Sequence, residues 1–240
     1  MPLIQYIGVV AGTLCFNFAV AAAGLCEAPF MHNGGQVQLT GSGGLQLGAD
    51  LAFSEVKKSG GDACEARVQG ESTFGLAGLP AGKSSIDYWM SVNSGKATFE
   101  RREEGGQRVP VNGKFDLRMV GLFAYGEPIT SPGQTFPALR YQINVDNKAV
   151  QTQPVVVHTG EKTVGERQSI QTAAGSRSCW PVRYTRTIEP TQASFNGLVL
   201  PIPGMTSAVT DWLCPDLNMV MRQDSKQNGV ASVVEVTKIQ

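Results

Sequence analysis

The residue types that could act chemically are few in this chain and stand far apart. His158 follows three valines and precedes a Thr-Gly-Glu run, and His32 lies in a Met-His-Asn-Gly-Gly segment. A catalytic histidine needs a nucleophile and an orienting acid within hydrogen-bond reach, and the spacing suggests neither. We therefore interpret His158 as a water-exposed residue at a strand end, and we predict a protein without catalytic residues. A hydrolase that uses dispersed carboxylates would leave no local motif and is the least favoured alternative.

Metal and cofactor sites are not indicated either. The sequence has no C-x-x-C pair, no H-E-x-x-H and no glycine-rich phosphate loop, which are the patterns that hold zinc or nucleotides. Asp211 and Asp216 offer carboxylates suited to calcium, but two carboxylates in one turn more often cap it. We therefore predict no metal and no cofactor.

The cysteines predict a disulfide framework. Cys15 lies in the N-terminal apolar stretch, which leaves four cysteines in the rest of the chain. An even number in an exported protein indicates two disulfides, of three connectivities. Since two cysteines fall in each end of the chain, we predict the pairs Cys26–Cys64 and Cys179–Cys214.

Residues 1–23 have the character of a secretory signal. The stretch from Tyr6 to Ala23 is almost wholly apolar and uncharged and ends in three alanines, which predicts cleavage after Ala23 and export to the periplasm. No Lys or Arg precedes the apolar stretch, so the alternatives are an uncleaved membrane anchor or association with the outer membrane. A lipidated Cys26 is disfavoured, because Leu25 stands where a small residue is needed.

Composition narrows the class of protein. Lys plus Arg and Asp plus Glu both number 20, and charged residues make up only 17% of the chain, with 28 glycines. Such a balance gives no reason to expect nucleic acid as a partner. Low charge together with abundant glycine is typical of a turn-rich β protein rather than a helical bundle.

Short alternating segments predict an all-β fold. Turn dipeptides such as Asn228-Gly229, and the Glu-Gly-Gly run at residues 104–106, indicate hairpins. We predict one mostly antiparallel domain over residues 24–240, with few short helices and with residues 127–137 as the best place for an internal boundary. The predicted strands are 36–40, 65–73, 85–92, 96–103, 107–111, 114–125, 139–145, 149–158, 169–172, 180–188, 194–200, 218–223 and 231–239.

The C-terminal third resembles certain bacterial envelope proteins of uncharacterised function. The resemblance rests on strand and turn patterns that cover residues 165–240 and carry no chemistry. The matching segments are 165–167 (Gly-Glu-Arg), 170–175 (Ile-Gln-Thr-Ala-Ala-Gly), 179–184 (Cys-Trp-Pro-Val-Arg-Tyr), 211–217 (Asp-Trp-Leu-Cys-Pro-Asp-Leu), 218–223 (Asn-Met-Val-Met-Arg-Gln) and 232–239. The chain departs from the pattern at Cys179 and Cys214, and its N-terminal half shows no match.

Those families are similar in architecture to the LolA/LolB lipoprotein carriers, so the resemblance implies a curved sheet or half-barrel around an apolar interior. It predicts a non-catalytic envelope protein that binds a lipid or a hydrophobic peptide. The alternative is a structural subunit that binds an envelope protein partner. As the ligand or partner surface we single out Trp180, Trp212 and two apolar residues of a proline-framed segment, Ile202 and Met205.

Overall fold

A computed structural model of the 240-residue chain describes residues 24–43, 45–60, 63–76, 82–93, 96–103, 106–110, 125, 128–143, 150–152, 154–195 and 198–240. The predicted strand 114–125 lies almost wholly outside these residues, as do the signal sequence and the Asp-Asn-Lys turn at 146–148. The structure is a single all-β domain whose antiparallel sheet is curved and not closed into a barrel.

Within the described residues, eighteen strands follow one 3-10 turn at Leu25–Glu27. The N-terminal strands are β1 Gln36–Gly43, β2 Leu45–Gly60, β3 Ala63–Leu76, β4 Gly82–Asn93, β5 Lys96–Arg102 and β6 Arg108–Pro110. The middle strands are β7 Thr135–Phe136, β8 Leu139–Ile143, β9 Val150–Thr152, β10 Val155–Thr159, β11 Lys162–Val164 and β12 Gln168–Thr172. The C-terminal strands are β13 Gly175–Ile188, β14 Thr191–Phe195, β15 Leu198–Ile202, β16 Met205–Cys214, β17 Met219–Gln227 and β18 Val230–Ile239. No helix among the described residues has the length and apolarity that a membrane span requires.

The main sheet joins two meanders through the first and last strands. Its order is β6-β5-β4-β3-β2-β1-β18-β17-β16-β13-β10-β8, and every pairing is antiparallel. At the junction, Gln36 and Gln240 exchange backbone hydrogen bonds of 3.0 Å in both directions. The N-terminal meander and the C-terminal strands therefore share one hydrogen-bonded surface.

Several predicted hairpins are confirmed. Strands β5 and β6 pair across residues 103–107, and strands β17 and β18 pair across Asn228-Gly229. Asn228 and Gly229 have φ values of 47° and 84°, the left-handed conformation that a tight two-residue turn requires and that asparagine and glycine adopt most readily.

Two strand predictions need correction, and the long strands β2 and β16 lie where no strand was predicted. The predicted strand 149–158 is two strands, because β9 ends before Pro154 and pairs with β14 of a separate three-stranded sheet, β15-β14-β9. The predicted strand 194–200 is a hairpin, with Phe195 opposite Leu198. The predicted strand 180–188 is confirmed as part of β13, in which Arg186 lies in register opposite Ser207.

Both predicted disulfides are present. Cys26 bonds Cys64, and Cys179 bonds Cys214. The first ties the N-terminal segment to β3, and the second joins the neighbouring strands β13 and β16. Two disulfides fit a location outside the reducing cytoplasm. A disulfide at Cys26 also uses the sulfur that a lipid would need, which argues against lipidation there.

The inner face of the N-terminal meander is mostly apolar among the described residues. Segment 25–31 covers part of it, and the Phe30 ring lies 4.8 Å from that of Phe53 between centroids. Most of its side chains are apolar and no more than 5% exposed. They are Val37, Leu39, Ala49, Leu51, Phe53, Ala66, Val68, Ile86, Met90, Val92 and Phe99.

Candidate functional site

A group of polar side chains lies on the inner face of the C-terminal half. Asp211 on β16 is completely buried. Its Oδ2 accepts a hydrogen bond of 2.7 Å from the Tyr125 hydroxyl, and its Oδ1 accepts one of 2.7 Å from Nε2 of Gln223. The Tyr184 hydroxyl also lies 3.5 Å from Oδ1. A buried carboxylate is tolerated when donors satisfy it in this way.

Two cations complete this group. The ammonium of Lys162, which is 5% exposed, lies 5.0 Å from the ring centroid of Tyr125 and 4.9 Å from that of Tyr184. The Arg186 guanidinium donates to Oε1 of Gln223 at 3.2 Å. The attraction between a cation and an aromatic face is stronger when the cation is shielded from water. We call these six residues, Tyr125, Lys162, Tyr184, Arg186, Asp211 and Gln223, the inner polar cluster.

Strand register brings the cluster together. Asp211 lies opposite Val182 on β13 and opposite Gln223 on β17. Because residues directly opposite in an antiparallel pair share a face, Asp211 and Gln223 point to the same side as Tyr184, two residues along from Val182. The next row, towards the β17–β18 hairpin, continues the polar character with Ser225 opposite Ser232.

A covering segment, residue 125 with residues 128–136, brings Tyr125 to the cluster. Its Tyr125 and Phe136 rings are 5.3 Å apart between centroids. The backbone N–H of Gly133 donates to the carbonyl of Val164 at 2.8 Å, so the segment docks on β11. Ile129 of the segment is 2% exposed. The region that sequence analysis treated as a boundary therefore packs against the sheet.

The four residues predicted as a ligand or partner surface are not brought together. Trp180 lies on the inner face of β13 and is 5% exposed. Trp212 lies on the outer face of β16, where its Nε1 donates to Asp224 at 2.8 Å. Ile202 ends β15 in the small sheet and Met205 begins β16, and both are half-buried.

The histidines differ from each other. His158 on β10 is half-buried, and its Nε2 lies against Glu189, which also pairs with Arg140 at 3.5 Å. The hydrogen bond from His158, with a smaller contribution from the positive charge of Arg140, lowers the pKa of Glu189 below the ordinary value of 4.5. Sequence analysis missed this acid because Glu189 lies 31 residues away. His32 is exposed.

The two carboxylates considered for calcium, those of Asp211 and Asp216, do not share a site. Asp211 is buried in the inner polar cluster, whereas Asp216 pairs with Arg177 at 3.2 Å. Within the part of the chain that the structure describes, no three His, Cys, Asp or Glu side chains gather as a metal site would require.

One open depression of about 490 Å³ lies where β1 and β2 approach their connecting turn. It is lined by small and hydroxyl-bearing residues and a single large apolar one. The lining residues are Thr40, Gly41, Ser42, Gly43, Leu47, Gly48 and Thr73. Gly43 lies opposite Ser232, so the depression adjoins the polar row of the inner face.

Comparison with known proteins gives distant similarities. The sequence matches no protein-family profile and no curated protein. One similar crystal structure, from Bacteroides fragilis, is described as a "putative exported protein with YmcC-like fold". It is 12% identical, with 87% of this chain and 96% of that chain aligned at a TM-score of 0.49. Another, a "putative lipoprotein" from Parabacteroides distasonis, is 13% identical, with 89% and 98% aligned at a TM-score of 0.49.

Similarities at this level carry no argument about function. Neither structure is described as a LolA or LolB carrier, so the likeness to those carriers stays a prediction.

Proposed function

We propose that this protein is a non-catalytic envelope protein that binds a lipid on the inner face of its curved sheet. One observation carries the proposal: within a single sheet, the inner face is mostly apolar in the N-terminal half, whereas in the C-terminal half it also holds a buried group of hydrogen-bonded polar side chains. A lipid has the same division between its chains and its headgroup. A periplasmic location is part of the proposal and is supported by the two disulfides and the predicted signal sequence.

The described polar groups favour binding over catalysis. The donors and acceptors of the inner polar cluster are directed at one another, with Tyr125 and Gln223 both donating to Asp211. The His158–Glu189 pair lies on the outer face of the sheet, and the acid is held by Arg140 as well. Neither arrangement presents a nucleophile next to a base, which nucleophilic catalysis requires.

Native mass spectrometry of the mature protein tests the proposal. We expect bound lipid in protein purified from an envelope fraction, or uptake from phosphatidylcholine or phosphatidylethanolamine vesicles. Ser225→Phe places a large ring on the half-buried polar row of the inner face and should reduce lipid uptake. Ala231→Phe adds the same ring to the outer face of the neighbouring strand and should leave uptake unchanged. Equal behaviour of both variants, or no lipid bound to wild type, contradicts the proposal.

A protein-interaction subunit is the second candidate. It is supported by the covering of the apolar inner face by the chain itself, since Phe30 and Met31 are at most 1% exposed. The small sheet also offers an edge strand, β15, on which Val199 is 57% exposed, and edge strands pair readily with a partner's strand. In the same experiment, a co-purifying protein or hydrophobic peptide without lipid would favour this candidate.

A further inference from the structure

We propose that the indole N–H of Trp180 donates a hydrogen bond to an ester carbonyl of the bound lipid. This inference rests on the proposed function and adds to it a recognition residue and a chemical class of ligand group. It starts from a buried donor that has no hydrogen-bond partner among the described residues.

The Trp180 side chain is 5% exposed, and its Nε1 is buried without a partner in the part of the chain that the structure describes. Buried polar groups in native proteins are nearly always satisfied, and each exception calls for an explanation. An indole nitrogen only donates, so the missing partner must be an acceptor.

Trp212 offers a comparison within the same pair of strands. It lies on β16 opposite Pro181, the neighbour of Trp180 on β13. Its Nε1 donates to Asp224 at 2.8 Å, and Arg222 holds the same carboxylate at 2.7 Å. Among the described residues, the outer tryptophan therefore has a hydrogen-bond acceptor for its indole, whereas the inner one has none.

The position of Trp180 suits a ligand on the inner face. It shares its face with Val182 and Tyr184, because alternate residues of a strand point the same way. Tyr184 belongs to the inner polar cluster, and the four-residue separation spans roughly 13 Å of strand. A lipid whose headgroup lies near the cluster can therefore bring the upper part of its chains to Trp180.

An exposed side chain covers one face of the indole ring. The Arg167 guanidinium lies 4.4 Å from the ring centroid of Trp180, and Arg167 itself is exposed. A ligand can displace a long exposed side chain without removing a residue from the core. Displacement of Arg167 would therefore give a ligand access to the Trp180 ring, whereas the surrounding apolar residues are buried and block it.

The surroundings select an uncharged acceptor. Trp180 lies opposite Leu213, which is 3% exposed, and next but one to the fully buried Val182. A charged acceptor would be costly to desolvate there, whereas an ester carbonyl is neutral and stands between the chains and headgroup of a lipid. An ether-linked lipid of the same shape offers a much poorer acceptor.

Two probes separate these cases: ester-linked diacyl phosphatidylcholine and ether-linked dialkyl phosphatidylcholine with the same chains. We expect wild type to bind the ester lipid about 5–10-fold more tightly, as one hydrogen bond implies. Trp180→Phe should bind both lipids alike. The matched control Trp212→Phe, which removes an indole that already has its acceptor, should keep the ester preference.

A second measurement uses wild-type protein, so it does not depend on the folding of a variant. The chain has 3 tryptophans, and each gives one indole N–H signal in a ¹H–¹⁵N spectrum. The Trp180 signal, assigned by elimination with Trp212→Phe and Trp89→Phe, should shift downfield with the ester probe and not with the ether probe.

The outcomes distinguish the two proposals. If wild type binds both probes equally, or if Trp180→Phe keeps the ester preference, the role of Trp180 is overturned while lipid binding stands. If wild type binds neither probe, the proposed function fails and this inference fails with it.

Discussion

The two halves of the sheet use the same strand geometry to build opposite inner faces. In the N-terminal half, inner rows such as Phe53 opposite Val68 contain only apolar side chains. In the C-terminal half, the row through Asp211 and Gln223 contains a carboxylate and an amide. Both faces are packed, but the C-terminal one is held by buried side-chain hydrogen bonds as well. A substitution should therefore cost stability for a different reason in each half.

The first and largest effect is expected where a second charge enters the polar half. Val182 is fully buried directly opposite Asp211, so Val182→Asp would place two carboxylates together with no additional donor. We expect a loss of at least about 4–5 kcal/mol in the free energy of unfolding, or no folded protein. Urea denaturation followed by circular dichroism measures it.

The control for that variant is the next residue on the strand. Arg183 is exposed on the outer face, so Arg183→Asp should change stability by less than about 1 kcal/mol. A tolerated Val182→Asp would mean that the polar half admits a further charge, and the contrast between the two faces would be weaker than the structure indicates.

In the apolar half, the loss of stability should come mainly from the cavity that a smaller side chain leaves. Phe53 is 1% exposed and contacts Phe30, so Phe53→Ala should cost about 3–4 kcal/mol through lost burial and the cavity left behind. Ser54→Ala, on the opposite face of the same strand, is the matched control. Thermal unfolding of both variants provides the comparison, and equal melting temperatures would contradict a packed N-terminal inner face.

The hydrogen-bonded cluster should respond more mildly to an isosteric change. Asp211→Asn keeps the volume but replaces one acceptor oxygen with a donor facing Tyr125 or Gln223. We expect a loss of about 1–2 kcal/mol. Asp216→Asn, at an exposed ion pair, should change stability by less than about 0.5 kcal/mol. If the two variants are equally stable, the carboxylate of Asp211 does not hold the cluster.

The smallest effect concerns pH and the outer face of the C-terminal half. Because the folded-state pKa of Glu189 lies below its unfolded value, its contribution is present above about pH 4.5 and is lost as the pH falls through the lower folded value. Melting temperature measured from about pH 3 to pH 6 should therefore fall at the acid end, and less so in Glu189→Gln. Identical pH profiles of the two proteins would show that the pair of Glu189 with His158 contributes nothing to stability.

Local sequence signals predicted the elements better than their pairing. Alternating residues and turn dipeptides were enough for the all-β class and for the final hairpin at Asn228-Gly229. The same kind of dipeptide occurs at Asn196-Gly197, between β14 and β15. The prediction of a single strand over residues 194–200 passed over this turn signal, which has apolar residues on both sides. A turn signal should therefore outweigh a continuous apolar run.

The inner polar cluster was not predictable from sequence. Asp211, Gln223 and Tyr184 come from three strands, and only their register places them on one face. Arg186 shares its face with Val182 and Tyr184, and the sequence of its own strand gives no sign of a partner for the guanidinium. In the structure it donates to Gln223. A buried polar residue can be recognised as satisfied only when its partners on other strands are known.

The pairing of β1 with β18 has a consequence for how this chain folds. The first strand of the sheet finds its second neighbour only in the last strand, with Val37 opposite Ile239. If the protein crosses a membrane N-terminus first, the leading meander must wait with one edge unpaired until the final residues have crossed. Contacts of such sequence separation slow folding, and an unpaired edge invites aggregation. We therefore expect the chain to depend on holding chaperones during export, and to tolerate losses at its C-terminus poorly.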